Sequence, residues 1–87
     1  MALLEGRVAV ISGGGGDIGG GMARRFAQEG AAVAVCDLSL DKAEKVASDI
    51  RGFGGRAVAI AVDVSKPEQC EAAAARTVTE FGKITTL

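Results

Sequence analysis

Val8-Ala9-Val10-Ile11-Ser12-Gly13-Gly14-Gly15-Gly16-Asp17-Ile18-Gly19 passes from an unbroken apolar run, through a glycine run, into a helical pattern. Val8–Ile11 is apolar at every position, where a half-exposed strand would alternate, so it reads as a strand buried on both faces. Beyond the glycines the apolar residues follow a helical period. Ile18, Met22, Ala23, Phe26 and Ala27 share a stripe, with Arg24, Arg25 and Gln28 outside it. Glycine between the two elements permits a tight turn and leaves backbone that no Cβ shields. The stretch therefore reads as strand, glycine turn and helix, the helix running from about Asp17 to Glu29 and ended by Gly30.

Outward from this unit the same alternation repeats. Apolar runs recur at Val33–Cys36 and Ala57–Val62, and another begins at Ile84, a spacing of about 25 residues with a helical stretch in each interval. The second helix spans about Leu40–Arg51, capped by Ser39, with Leu40, Ala43, Val46, Ala47 and Ile50 inward. In the third, Ser65-Lys66-Pro67-Glu68 supplies a serine cap, a first-turn proline and a glutamate to close a capping box. Cys70, Ala74, Val78 and Phe81 form its expected buried stripe, and Gly82 stops it. The order predicts an α/β fold: a Rossmann-like parallel sheet, βαβαβα plus the start of a fourth strand at Ile84–Leu87, an incomplete doubly wound arrangement. The first two helices are expected on one sheet face and the third on the other.

Composition narrows the functions open to such a fold. The 87 residues contain no histidine, tyrosine or tryptophan, so two common proton-transfer side chains are missing. Ten basic and eleven acidic residues give a net charge of -1 without a basic run. With three phenylalanines as the only aromatics, neither a positive stripe nor a stacking platform for nucleic acid is present. No apolar stretch approaches the roughly 20 residues that span a bilayer, and the N-terminus lacks a signal-peptide pattern. Cys36 and Cys70 have no CxxC spacing and no histidine to join them in a metal site. They read as small buried apolar residues in a reducing compartment, and the chain as cytoplasmic.

The glycine run owes its meaning to its position. A helix N-terminus offers unpaired N–H groups and partial positive charge, and glycines let a phosphate approach them. Asp37, 18 residues after Gly19 at the end of the second strand, fits an acid that accepts hydrogen bonds from the adenosine ribose of NAD. Its charge would repel the extra phosphate of NADP, and the closest cation, Lys42, lies on the following helix, so NAD is the expected cofactor. Asp63-Val64 follows the third strand, so three polar features fall on the rim where ligands of doubly wound sheets sit.

These residues resemble the N-terminal portion of the short-chain dehydrogenase/reductase family, over essentially all 87 residues. Its Thr-Gly-x-x-x-Gly-x-Gly loop is matched by Ser12, Gly13, Asp17, Ile18 and Gly19, with Ser12 for threonine and Asp17 for the middle glycine. A second register stays open, in which Gly14, Gly16 and Gly19 make the general GxGxxG fingerprint. The resemblance implies a cofactor-contacting set of Ser12, Gly13, Gly15, Gly16, Asp17, Ile18, Gly19, Asp37, Leu38, Asp63 and Val64. It also implies that Asp63 reaches the adenine amino group, and that residues 1–87 are one dinucleotide-binding portion of an oxidoreductase moving hydride between nicotinamide and a carbonyl/alcohol pair.

The family's catalytic serine and Tyr-x-x-x-Lys have no counterpart here, so no residue of this chain is assigned a catalytic role and none a metal. The chain alone is expected to be inactive. A non-catalytic nucleotide-binding or interaction module, and a truncated product without activity, are the alternatives. An unpaired apolar sheet edge is expected to make it marginally stable or self-associating.

Overall fold

A computed structural model describes residues 4–85 and contains three strands alternating with three helices. β1 is Val8–Ser12, α1 Asp17–Gln28, β2 Ala32–Asp37, α2 Leu40–Gly52, β3 Arg56–Ala61 and α3 Pro67–Phe81. All strand pairs are parallel in the order β1-β2-β3. Val8 faces Ala32 and Ser12 faces Cys36 across the first pair, while Ala32 faces Arg56 and Asp37 faces Ala61 across the second. This register aligns the carboxyl ends of the strands.

Each strand sends alternate residues to opposite faces. Ala9, Ile11, Val33, Val35, Ala57 and Ala59 form one core cluster with Ala23 and Ala27 of α1 and Ala43, Val46, Ala47 and Ile50 of α2. On the other face Ala34, Cys36, Ile60 and Val62 pack with Ala73 of α3, joined by half-buried Val10 and Val58. Two faces covered by helices explain the continuous apolar runs, and β2, in the centre, is buried from Ala32 to Cys36. Among the described residues no helix is long and apolar enough to cross a membrane.

The helices depart from their expected faces in a consistent way. In α1 the buried residues are Gly20, Ala23 and Ala27, whereas Ile18 is 82% exposed and Met22 47%. Gly20 explains the rotation, since a Cβ there would stand 3.2 Å from Val46 Cγ2 of α2 and 3.3 Å from the Gly14 carbonyl oxygen. α1 thus approaches α2 and the loop through its smallest residues. Leu40, in the first turn of α2, is exposed, while the expected stripe from Ala43 to Ile50 is buried. In α3 the buried residues are Ala73 and Thr77, one position before the expected stripe, and Cys70 and Val78 are exposed. The small Ala73 lets α3 lie close on Ala34 and Cys36, and Thr77 satisfies its hydroxyl on the Ala73 carbonyl at 2.8 Å. Of the two cysteines, only Cys36 is buried.

The helix ends mostly follow the signals. Ser39 Oγ accepts from the Lys42 N–H at 3.4 Å. Gly30, Gly54 and Gly82 sit at φ 101, 91 and 85°, left-handed values that suit glycine past a helix end. The capping box of α3 does not form. Its N-cap is Lys66 without a side-chain bond, because the Ser65 hydroxyl donates instead to Asp63 Oδ1 at 2.6 Å.

The expected fourth strand is not formed among the described residues, but the chain arrives where it would start. The Thr85 N–H donates to the Val8 carbonyl at 2.9 Å, and the Val8 N–H to Thr85 Oγ1 at 2.8 Å, on the edge of β1 away from β2. Thr86 and Leu87 lie outside the described residues.

Candidate functional site

The glycine loop is folded over the carboxyl end of β2. The Gly14 N–H donates to the Cys36 carbonyl at 2.9 Å, and the Gly16 N–H to the Gly13 carbonyl at 3.1 Å. Gly13 has φ 67°, the left-handed region, and a Cβ there would meet nothing within 4 Å, so its outer side is open to the rim. Gly19 is needed for another reason. A Cβ on it would stand 2.2 Å from the Gly13 carbonyl oxygen and 3.1 Å from Gly14 Cα. The loop and the first turn of α1 are in direct backbone contact.

Asp37 ties this loop to the sheet. Its Oδ2 accepts from the Gly15 N–H at 3.0 Å and its Oδ1 from the Ser39 N–H at 2.9 Å. Each carboxylate oxygen retains a further lone pair. The Val62 N–H donates to the Asp37 carbonyl at 2.9 Å, continuing the β2–β3 alignment past Ala61 and delivering Asp63 to the same rim. Asp63 is held in turn. The Ser65 hydroxyl and N–H donate to its Oδ1 at 2.6 and 3.0 Å, and its own N–H donates to Gln69 Oε1 at 2.8 Å. Those two Ser65 bonds, the hydroxyl first, keep the Asp63 carboxyl below the usual carboxylate range.

Six of the expected residues come together. Ser12, Gly13, Asp37, Leu38, Asp63 and Val64, with Cys36 and Val62 at the floor, line a cavity of about 390 Å³ at the strand ends. Burial, with the charge of Cys70 adding, pushes the Cys36 thiol up to about 11, so this floor is neutral at physiological pH. Gly15, Gly16 and Asp17 instead line a neighbouring cavity of about 450 Å³ with Arg24, Lys42, Lys45 and Val46. Ile18 and Gly19 face a third hollow, of about 380 Å³, with Met22 and Phe26 beside β1.

An aspartate at a helix start often caps it, but Asp17 is not the cap. Gly16 holds that position, and Asp17 is the exposed first helical residue, where a carboxylate suits the positive end of the helix; it lines the same cavity as Lys42 and Lys45. The first turn of α1 leaves the N–H groups at Asp17, Ile18 and Gly19 without intrahelical acceptors. Sequence reasoning passed over Gln69, whose role depends on the fold, and over Ser65 as a partner of Asp63. The Asp-x-Ser spacing of an Asx-type turn was the available signal for Ser65. It also left Lys42 apart from the loop, whereas a Cβ on Gly15 would stand 2.7 Å from Lys42 Cβ.

A family model described as short chain dehydrogenase matches residues 7–87. The chain belongs to this family. The 2,5-dichloro-2,5-cyclohexadiene-1,4-diol dehydrogenase of Sphingobium indicum is 43% identical over 84 residues, which take in 97% of this chain and 34% of that protein. A 3-ketoacyl-(acyl-carrier-protein) reductase from Brucella melitensis, solved with NADH, superposes with a TM-score of 0.86 at 44% identity, over 93% of this chain and 32% of its own. A 7 alpha-hydroxysteroid dehydrogenase, solved with NADH and 7-oxo glycochenodeoxycholic acid, gives 0.91 at 36% identity over 93% and 32%. The short-chain dehydrogenase portion described here spans about a third of the length of these relatives, their N-terminal part. The parallel sheet and its helices are the Rossmann-like arrangement expected from the sequence.

Proposed function

We propose that this chain is the adenosine- and pyrophosphate-holding portion of an NAD-dependent short-chain oxidoreductase. The observation that carries the reading is Asp37. Its carboxylate sits between the glycine loop and the strand-end cavity, fixed by two backbone N–H groups and still able to accept from ribose hydroxyls. The bare backbone at Gly13 and the unshared N–H groups of the first turn of α1 form a cradle that suits a diphosphate. Leu38 and Val64 flank the cavity as apolar walls for a heterocycle.

In this reading the nicotinamide, when bound, supplies or accepts a hydride in the whole protein, and the partner is a carbonyl or alcohol. The residues of this chain bind and orient. Asp37 and the loop hold the ribose and diphosphate, Asp63 and Val64 close the adenine end, and no residue of the chain moves the substrate proton. The chain by itself is proposed to be without turnover, and the protein to be cytoplasmic. NAD is preferred because a phosphate on the ribose would meet the Asp37 charge.

Titration of NADH and NADPH, followed by nicotinamide emission, tests this directly, since the chain contains no tryptophan to interfere. NADH should bind tighter by about 10-fold or more, the Coulomb penalty of two like charges a few ångströms apart in partly solvated surroundings. Asp37→Asn keeps an acceptor for the Gly15 N–H and should narrow that ratio. Equal affinity for both cofactors, or tighter NADPH through Lys42 and Lys45, would refute the preference.

A further inference from the structure

β3 is an outer strand of the sheet, with β2 on one side and, among the described residues, no strand on the other. Its pairing with β2 decides which of its backbone groups face outward. The Val62 N–H donates to the Asp37 carbonyl at 2.9 Å, so Val62, and by alternation Ile60 and Val58, turn their peptide groups toward β2. Ala57, Ala59 and Ala61 turn theirs away from it. One of these outward groups is taken. Arg51, in the last turn of α2, reaches this edge, and its Nη1 donates to the Ala57 carbonyl at 2.9 Å. Its Nη2 is held by the Glu44 carboxylate, two turns earlier on the same helix. The outward N–H and carbonyl of Ala59 and the N–H of Ala61 find no partner among the described residues.

We propose that the Arg51 guanidinium, steered by Glu44, is a guard that keeps the outer edge of β3 from pairing with β3 of a second copy of this chain. The inference is independent of the dinucleotide reading. The edge is self-complementary. A two-fold axis at Ala59 sets two β3 strands antiparallel, with Ala59 opposite Ala59 and Ala57 opposite Ala61, and all of these present their N–H and carbonyl groups to the partner. The same register places Val58 of one copy opposite Ile60 of the other, so half-buried Val58 gains an apolar cross-strand neighbour. Backbone bonds between the two Ala59 residues, and from each Ala61 N–H to the opposite Ala57 carbonyl, close such a pair. The second set needs the carbonyl that Arg51 already occupies. An approaching strand must also displace and dehydrate a guanidinium, which is how charged side chains blunt an open edge. The ion pair with Glu44 is half-exposed and adds little to stability; its effect is to aim the guanidinium at the edge.

Arg51→Met keeps the apolar stem and removes the donor. The experiment follows amide hydrogen exchange of the isotopically labelled full chain at Ala59 and Ala61 over a range of concentration, with sedimentation alongside. In the parent these two amides should exchange at a rate independent of concentration. In Arg51→Met, a dimer with a Kd of about 0.1 mM, at the weak end expected of a small interface, leaves about one-fifth of the chain monomeric at about 1 mM, so both amides should slow about 5-fold. Arg51→Lys, which keeps a cation and a donor, should behave as the parent does. Ala61→Pro added to Arg51→Met removes the outward N–H without touching the bonds to β2, and should return the monomer. Should Arg51→Met fail to fold, Arg51→Ala, a good helix former, carries the same expectation. Exchange in the folded variant that ignores concentration would overturn the guard role. So would equal slowing in Arg51→Lys, slowing that survives Ala61→Pro, or a rising sedimentation coefficient with no change at these two amides, which would place the contact at another edge.

Discussion

Two glycines in one helix make a matched test of how the loop is built. Gly19 and Gly21 both lie in α1, both with helical backbone, and replacing either by alanine removes the same conformational freedom from the unfolded chain. That term favours the folded state by about 0.5–1 kcal/mol in each case. Their surroundings differ. A Cβ at Gly21 meets nothing within 4 Å, so Gly21→Ala should keep the whole gain and raise the melting temperature by about 3–6 °C.

A Cβ at Gly19 would lie 2.2 Å from the Gly13 carbonyl oxygen and 2.9 Å from the carbonyl carbon. These are backbone atoms and cannot turn aside as a side chain can. Relief requires the Gly13–Gly16 turn to move off the helix, which also strains the Gly14 to Cys36 and Gly15 to Asp37 bonds. Overpacking of this kind costs about 2–3 kcal/mol, so the net effect of Gly19→Ala is a loss of about 1–2 kcal/mol and a melting temperature lower by about 5–15 °C. Far-UV circular dichroism is the appropriate probe, because the chain has no tryptophan or tyrosine to follow. NADH titration of the same variants adds a second readout: Gly21→Ala should bind as the parent does and Gly19→Ala should lose binding even where it is folded. If Gly19→Ala proves as stabilising as Gly21→Ala, the loop is not packed on the helix and the cradle described above does not exist.

Two further predictions concern the opposite faces of the sheet. The Cys36 thiol, raised to about 11 by burial and then by Cys70, keeps its proton in the folded state at pH values where the unfolded chain, near its ordinary 9.0, has lost it. The unfolded state then binds fewer protons, so stability should be flat below about pH 8 and fall by roughly 2 kcal/mol between pH 9 and 11; urea midpoints should show this fall and Cys36→Ala should remove it. On the other side, Ile18 and Met22 stand exposed next to the β1 edge, which among the described residues is hydrogen-bonded by Thr85 alone. If this edge drives self-association, the sedimentation coefficient should rise with concentration, and Ile18→Ser with Met22→Gln should abolish the rise while changing stability by less than about 0.5 kcal/mol; an unchanged rise would move the contact elsewhere.

What could be read from the sequence follows the range of the interactions involved. The alternation of strands and helices, the glycine loop and the rim acids Asp37 and Asp63 were legible because each depends on position within a strand–turn–helix unit, and that unit is contiguous in the chain. Gln69 was not, since its amide matters only once α3 has been placed against the end of β3. Ser65 was misread for a related reason. A serine just before a helix can cap it or bond a nearby carboxylate, and Asp63, two residues away and ionised, is the stronger acceptor for its hydroxyl.

The errors in helix phase share one further cause. Hydropathy sends the largest apolar residues inward, which places Ile18, Met22, Cys70 and Val78 in the core. This sheet, however, presents mainly alanine and valine to its helices, and such a surface is best covered at short range. At that distance glycine and alanine fit between helix and sheet, as Gly20, Ala23, Ala27 and Ala73 do, and larger side chains are displaced to the margins of the contact. The margin of α1 is the hollow beside the β1 edge, so the residues displaced there form an apolar border along a side of the sheet where the described residues supply no further strand. The same close packing that stabilises the loop over Gly19 and Gly20 therefore leaves that border exposed.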